Sequence, residues 1–151
     1  MTLMRPRFFY PLCVFLGIVL GTVLITTGSV PSASAFVKPT PELRNQERHQ
    51  AVNDLSSALS KYLRRYHKLP VPLPTKPTEI CLTRGDGCTQ QHLFDLSYLA
   101  NGVFMDYLPS DPIGGRVLYG SGYWIYLDPV SGVIHIKADH AENGATIETT
   151  L

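Results

Sequence analysis

Apolar residues follow three different rhythms along this 151-residue chain. Residues 8–30 carry no charged side chain, so a helix there would be apolar all round. From Glu42 to His67 there is neither glycine nor proline, and Val52, Leu55, Leu59, Tyr62, Leu63 and Tyr66 recur at spacings of three and four. That period predicts one long amphipathic helix whose apolar stripe lies in its second half. Thr40 supplies a capping hydroxyl, Pro41 suits the first helical position, and Glu42 complements the helix dipole. Arg44, Arg48, Asn53, Asp54, Ser57, Lys61, Arg64 and Arg65 fall mostly on the other faces, and the arginines and lysines read as a solvated surface. Past residue 120 the period becomes two. Tyr123, Ile125 and Leu127 alternate with Trp124 and Tyr126, while Val133, His135 and Lys137 alternate with Ile134 and Ile136. These runs predict strands at 122–127 and 133–138, joined by the loop Asp128-Pro129-Val130-Ser131-Gly132. A third short strand is expected within 145–150.

The middle of the chain is punctuated rather than periodic. Four prolines between Pro70 and Pro77 forbid regular structure, and the segment runs extended to Glu79-Ile80-Cys81. Leu93, Phe94, Leu96 and Leu99 suggest a short helix over 91–100, stopped by Asn101-Gly102. Tyr107-Leu108-Pro109-Ser110-Asp111-Pro112 and Gly114-Gly115 form a turn-rich connection. The expected fold class is α+β: an N-terminal membrane helix, then one long amphipathic helix packed on a small antiparallel β-sheet.

The apolar segment 8–30 is long enough, at about 1.5 Å per residue, to span the roughly 30 Å hydrocarbon core. Gly17 and Gly21 give it a Gly-x-x-x-Gly spacing. Arg5 and Arg7 before it put the N-terminus in the cytoplasm and all later residues outside, as a single-pass protein of the inner (cytoplasmic) membrane. Ala33-Ser34-Ala35 also fits a signal-peptidase site, with cleavage after Ala35 and a secreted chain starting at Phe36. Residues 1–35 are thus a transmembrane anchor or a signal peptide, 36–41 a linker, and 42–151 an extracytoplasmic domain.

Charge sharpens that division. Residues 1–35 hold two arginines and no acid, whereas 36–151 hold eleven basic and twelve acidic groups and net minus one. No nucleic-acid partner is expected of so balanced a domain. Cys81 and Cys88 enclose Leu-Thr-Arg-Gly-Asp-Gly, and export favours a disulfide between them over free thiols or a metal site. Cys13 sits within the apolar segment as a small hydrophobe. The five histidines are scattered, and a site from His135, Asp139 and His140 has no evident ligand geometry. No phosphate loop or nucleophile elbow occurs, so no enzyme is expected. Tyr119, Tyr123, Trp124 and Tyr126 either pack within the sheet or present an aromatic row to a partner.

The order of these elements resembles the type IV pilins and type II secretion pseudopilins. Four stretches carry the resemblance: the polar-to-amphipathic helix from Arg44 through Tyr62 ending at Tyr66-His67-Lys68-Leu69-Pro70; Tyr107-Leu108-Pro109-Ser110-Asp111-Pro112; Gly122-Tyr123-Trp124-Ile125-Tyr126 with Asp128 and Gly132; and Glu79-Ile80-Cys81 with Cys88 and Asp95-Leu96-Ser97. The sequence departs from the family before Glu42. It has no prepilin leader glycine followed by a glutamate inside the apolar segment, and Pro31, Pro39 and Pro41 interrupt the helix that pilins run from membrane into domain. The resemblance therefore implies a pilin-like domain on a separate anchor or behind an ordinary signal.

What the resemblance implies for function is a non-enzymatic, membrane-tethered surface protein. It would be a minor or accessory structural component of a type IV pilus or type II secretion-like pseudopilus. Its partners would be the membrane, through 8–30, and other pilin-like or secretion and pilus assembly proteins. No cofactor is required, but major pseudopilins often hold calcium, and Asp106, Asp111, Asp128 and Ser131 are hard oxygen donors of suitable type near turns. The alternative is a secreted binding module that recognises glycan or protein through an aromatic sheet face bearing Tyr123, Trp124 and Tyr126.

Overall fold

Helix α1 (Pro41–Tyr66) forms where the apolar period places it. Thr40 Oγ1 accepts the Leu43 N–H at 3.3 Å, Pro41 occupies the first turn, and His67 closes the helix in the left-handed region at φ 56°. A computed structural model provides these coordinates and describes residues 38–151. The chain divides into two units between residues 36 and 37, and the described residues belong to the second. The anchor or signal at 1–35, the span 8–30, Cys13, the cleavage site after Ala35 and most of the linker lie outside the described residues. Among the described residues, no helix is long and apolar enough to cross a membrane.

After α1 come β1 (Thr78–Cys81), α2 (Asp86–Gln90), β2 (Phe94–Asp95), a 3₁₀ turn (Ser97–Leu99), β3 (Gly120–Leu127), β4 (Ile134–Ala138) and β5 (Glu148–Thr150). The strands make one sheet in the order β2-β1-β3-β4-β5. The architecture is α+β, but the sheet is five-stranded and mixed rather than small and antiparallel. β1 and β2 run parallel, with Ile80 opposite Phe94, and the other pairings are antiparallel. The helix expected over 91–100 is absent. Phe94 pairs with β1 instead, and Asp95 Oδ1 accepts the Ser97 N–H at 2.7 Å, which turns the chain out of a helical path. The real short helix lies upstream: α2 begins within the loop closed by the Cys81–Cys88 disulfide, carries Cys88 and ends two residues beyond it.

Val52, Leu55 and Leu59 of α1 are buried against Ile80, Tyr123, Ile125, Ile136 and Ile147 of the sheet side. Full burial of each such aliphatic side chain contributes about 1.5–3 kcal/mol. Leu96 and Leu99 join this core from the segment after β2. At the C-terminal end of α1, the Tyr62 ring lies 4.6, 4.9 and 5.2 Å from those of Tyr66, Tyr98 and Phe104, tying the helix to the segment 98–104.

Candidate functional site

The first turns of α1 are not a solvated face. Arg48 is 0% exposed and Arg44 is 9% exposed. Arg48 donates to both Asp111 carboxylate oxygens, at 2.7 and 3.1 Å, and to Glu142 at 2.7 Å and Asn45 at 2.9 Å. Arg44 forks onto the same Glu142 and also donates to the Pro39 carbonyl. Asn45 exchanges bonds with the Glu142 backbone, and Asn143 donates to Glu42. Two cations thus meet two carboxylates in a network without net charge, which is the condition for burying ions without prohibitive cost. The Asp111 carboxylate raises the Arg48 pKa, and the paired arginines hold the Glu142 carboxyl down at about 2. The effect is a clamp. It fixes the N-terminal end of α1 to the loop before β3 and the loop after β4.

Backbone geometry at Asp111 reinforces the clamp. Gly122 has φ +79°, and a Cβ there would meet the Asp111 Cβ at 2.5 Å. Asp111 also caps its own turn, accepting the Ile113 N–H at 3.0 Å. Glu79, nearly buried, accepts the Gly122 N–H at 2.8 Å and the Arg116 N–H at 3.1 Å, and so holds the loop over the start of β3.

The aromatic row divides between the two faces of the sheet. Tyr123 is 1% exposed and points into the core beneath α1, so it leaves the expected binding face. Burial pushes its phenol up. Trp124 and Tyr126, the alternate positions, lie on the opposite face. Tyr126 stacks on His135 with centroids 4.6 Å apart and an interplanar angle of 5°, and His135 Nδ1 lies 2.5 Å from Glu148. The Arg116 guanidinium sits 4.8 Å from the Trp124 ring centroid and is held by both oxygens of Asp139 at 2.5 and 2.8 Å. A shallow cleft of about 280 Å³ opens beside Trp124, Arg116 and Gln91. The indole N–H of Trp124 and Oε1 of Gln91 are buried without hydrogen-bond partners.

The four oxygen donors proposed for calcium fall at three separate places, Asp128 and Ser131 together in one loop. Asp111 is committed to Arg48. Asp128 accepts the Ser131 hydroxyl at 2.6 Å and the Val130 N–H at 2.9 Å inside the β3–β4 loop, which lowers its pKa. Asp106 lines a groove of about 540 Å³ between α1 and the segment 104–110, together with Glu47, Asp54, Lys61 and Tyr107. Among the described residues, no group of three or more His, Cys, Asp or Glu side chains is placed to hold a metal ion.

Comparison of the chain with protein-family models, with curated proteins and with solved structures found no match. The residues that organise the site but escaped the sequence reading are Arg48, Arg116, Glu79 and Glu142. Their long-range partners lie 23–98 positions away, beyond the reach of any local period. A usable signal was the pairing of charged residues in number: two arginines at the start of a helix, and isolated acids in Gly- and Pro-rich loops.

Proposed function

We propose that this chain is a non-enzymatic, membrane-tethered pilin-like surface protein, a minor or accessory structural component of a type IV pilus or type II secretion-like pseudopilus. The observation that carries this reading is the clamp at the start of α1. Arg44 and Arg48 lock the helix onto the body one turn after Thr40, immediately downstream of the segment that bears the apolar stretch 8–30. The clamp holds the first turns of α1 on the body, so that helix end does not fray. The long helix laid on a sheet, with a disulfide-closed loop beside it, supports the same reading. Amine-reactive cross-linking of membranes from cells producing the full chain tests it. The expected result is a ladder of cross-linked species that contain this chain in the membrane fraction. Only monomer at every cross-linker concentration would contradict it.

The second reading, a secreted binding module, is favoured by one observation: Trp124 and Tyr126 occupy the sheet face that α1 leaves open. It loses Tyr123 from its recognition row.

A further inference from the structure

The 280 Å³ cleft beside Trp124 is used by neither the clamp nor the core. Thr78 and Glu79 of β1, Gln91 and His92 after α2, Arg116, and Trp124 of β3 line it. Glu79 is 5% exposed, and no cation pairs with it among the described residues. Its Oε1 accepts the N–H groups of Arg116 and Gly122, whereas its Oε2 makes no hydrogen bond among the described residues. The carboxyl occupies space that two glycines leave free: a Cβ would meet Oε1 at 2.5 Å from Gly115 and at 2.4 Å from Gly120. Trp124 adds an unpartnered donor, its indole N–H, and Gln91 an unpartnered acceptor, its Oε1. Buried polar atoms normally find partners, so three open hydrogen-bonding positions in one cleft require an explanation. The disulfide ties the contributing segments together, since Cys81 follows Glu79 by two residues and Cys88 precedes Gln91 by three.

We propose that this cleft binds a neutral saccharide ring through neighbouring hydroxyl groups. The bond types select the class. An ammonium only donates and leaves the indole N–H of Trp124 unmet, while a carboxylate or phosphate only accepts and leaves Gln91 and Glu79 unmet. A hydroxyl does both. Two neighbouring hydroxyls supply the two donors that Gln91 Oε1 and Glu79 Oε2 take and the acceptor that Trp124 needs. One water has the same capacity, but 280 Å³ is several times the ~30 Å³ share of a single water. The Arg116 guanidinium lies 4.8 Å from the Trp124 ring centroid, so one ring face is covered and recognition falls to the N–H edge of the indole. The inference goes beyond the tethered reading and does not depend on it. It shares only Trp124 with the row Tyr123, Trp124 and Tyr126 of the second reading, and moves recognition to the cleft that β1 and the turn after α2 help to line.

Trp124 is the one tryptophan of the chain, so its indole N–H gives a single resonance in a nuclear magnetic resonance spectrum. The test is a titration of the isotope-labelled full chain, in a detergent without a sugar headgroup, with glucose, galactose, mannose, N-acetylglucosamine and the methyl glycoside of each. The expected result is a saturable shift of the indole signal with at least one of these sugars, at a Kd on the order of 1 mM. Gln91→Ala should raise that Kd about fivefold, as loss of one neutral hydrogen bond implies, with no change in melting temperature. Glu79→Gln keeps an acceptor for the two loop N–H groups and should raise it about tenfold. If Glu79→Gln fails to fold, Gln91→Ala decides alone. A methyl glycoside that binds as well as its free sugar supports the proposal with the end of a glycan as the source; binding of the free sugar alone supports it with a monosaccharide as the source. An indole signal that no sugar shifts saturably would mean that the cleft holds only water, and would overturn the inference. A Kd indifferent to Gln91→Ala would overturn it too. Whether the chain is found in the membrane or the soluble fraction leaves the titration unchanged, so failure of the tether and failure of the site are told apart.

Discussion

Replacing Asp111 by alanine should be among the most damaging single changes in the domain, although Asp111 lies in a loop. Arg48 and Asp111 are both fully buried, and the guanidinium donates two of its bonds to this one carboxylate. Removing one partner of a buried pair typically costs about 3–5 kcal/mol, because the remaining charge is left without compensation. Arg48 keeps Glu142 and Asn45, which argues for the lower end, about 3 kcal/mol. At about 4 °C per kcal/mol for a body of this size, the melting temperature should fall by ~12 °C. Arg48→Met should cost a similar amount, since it strands Asp111. The double variant Arg48→Met with Asp111→Leu removes both charges and should cost clearly less than the two singles together. Urea denaturation followed by circular dichroism measures all three. Single losses under about 1 kcal/mol, or a double loss equal to the sum, would refute the account of the clamp as a coupled buried pair.

Four further outcomes follow from the same geometry. Reduction of Cys81–Cys88, or Cys88→Ala, releases a loop of seven-residue separation and should destabilise by about 2 kcal/mol in the chain-entropy model, read as a lower urea midpoint. Gly122→Ala should cost about 3 kcal/mol, from its positive φ and the contact with Asp111, and a thermal melt checks it. Glu142 has its pKa lowered in the folded state to about 2, so its contribution is present above the ordinary carboxyl range and lost as pH falls toward 2. Stability should therefore decline from about pH 4.5 downward, with a shallower slope in Glu142→Gln. Calcium or chelator should leave the melting temperature unchanged, because Asp111 and Asp128 already have partners; a calcium-dependent rise would reopen the ion site.

The sequence was most legible where structure is local. The cap at Thr40, proline at the first turn and the stripe Val52, Leu55 and Leu59 placed α1 to within a residue. The alternation around Trp124 placed β3 and β4 and separated Tyr123 from Trp124, but parity alone does not say which set faces the helix. Strand β2 is two residues long and gains its identity only from pairing with Ile80, so 91–100 looked helical from the spacing of its leucines. Arg44 and Arg48 looked solvated because their neighbours in sequence are polar. Their burial is decided by Asp111 and Glu142, which approach from 63 and more positions away.

The proposed function has this body held at a membrane by its own N-terminal segment. Mass spectrometry of the native protein's N-terminus, performed on separated membrane and soluble fractions, tests it most directly. A membrane-bound chain that retains residues 8–30 is the expected result. A soluble chain beginning at Phe36 would contradict it.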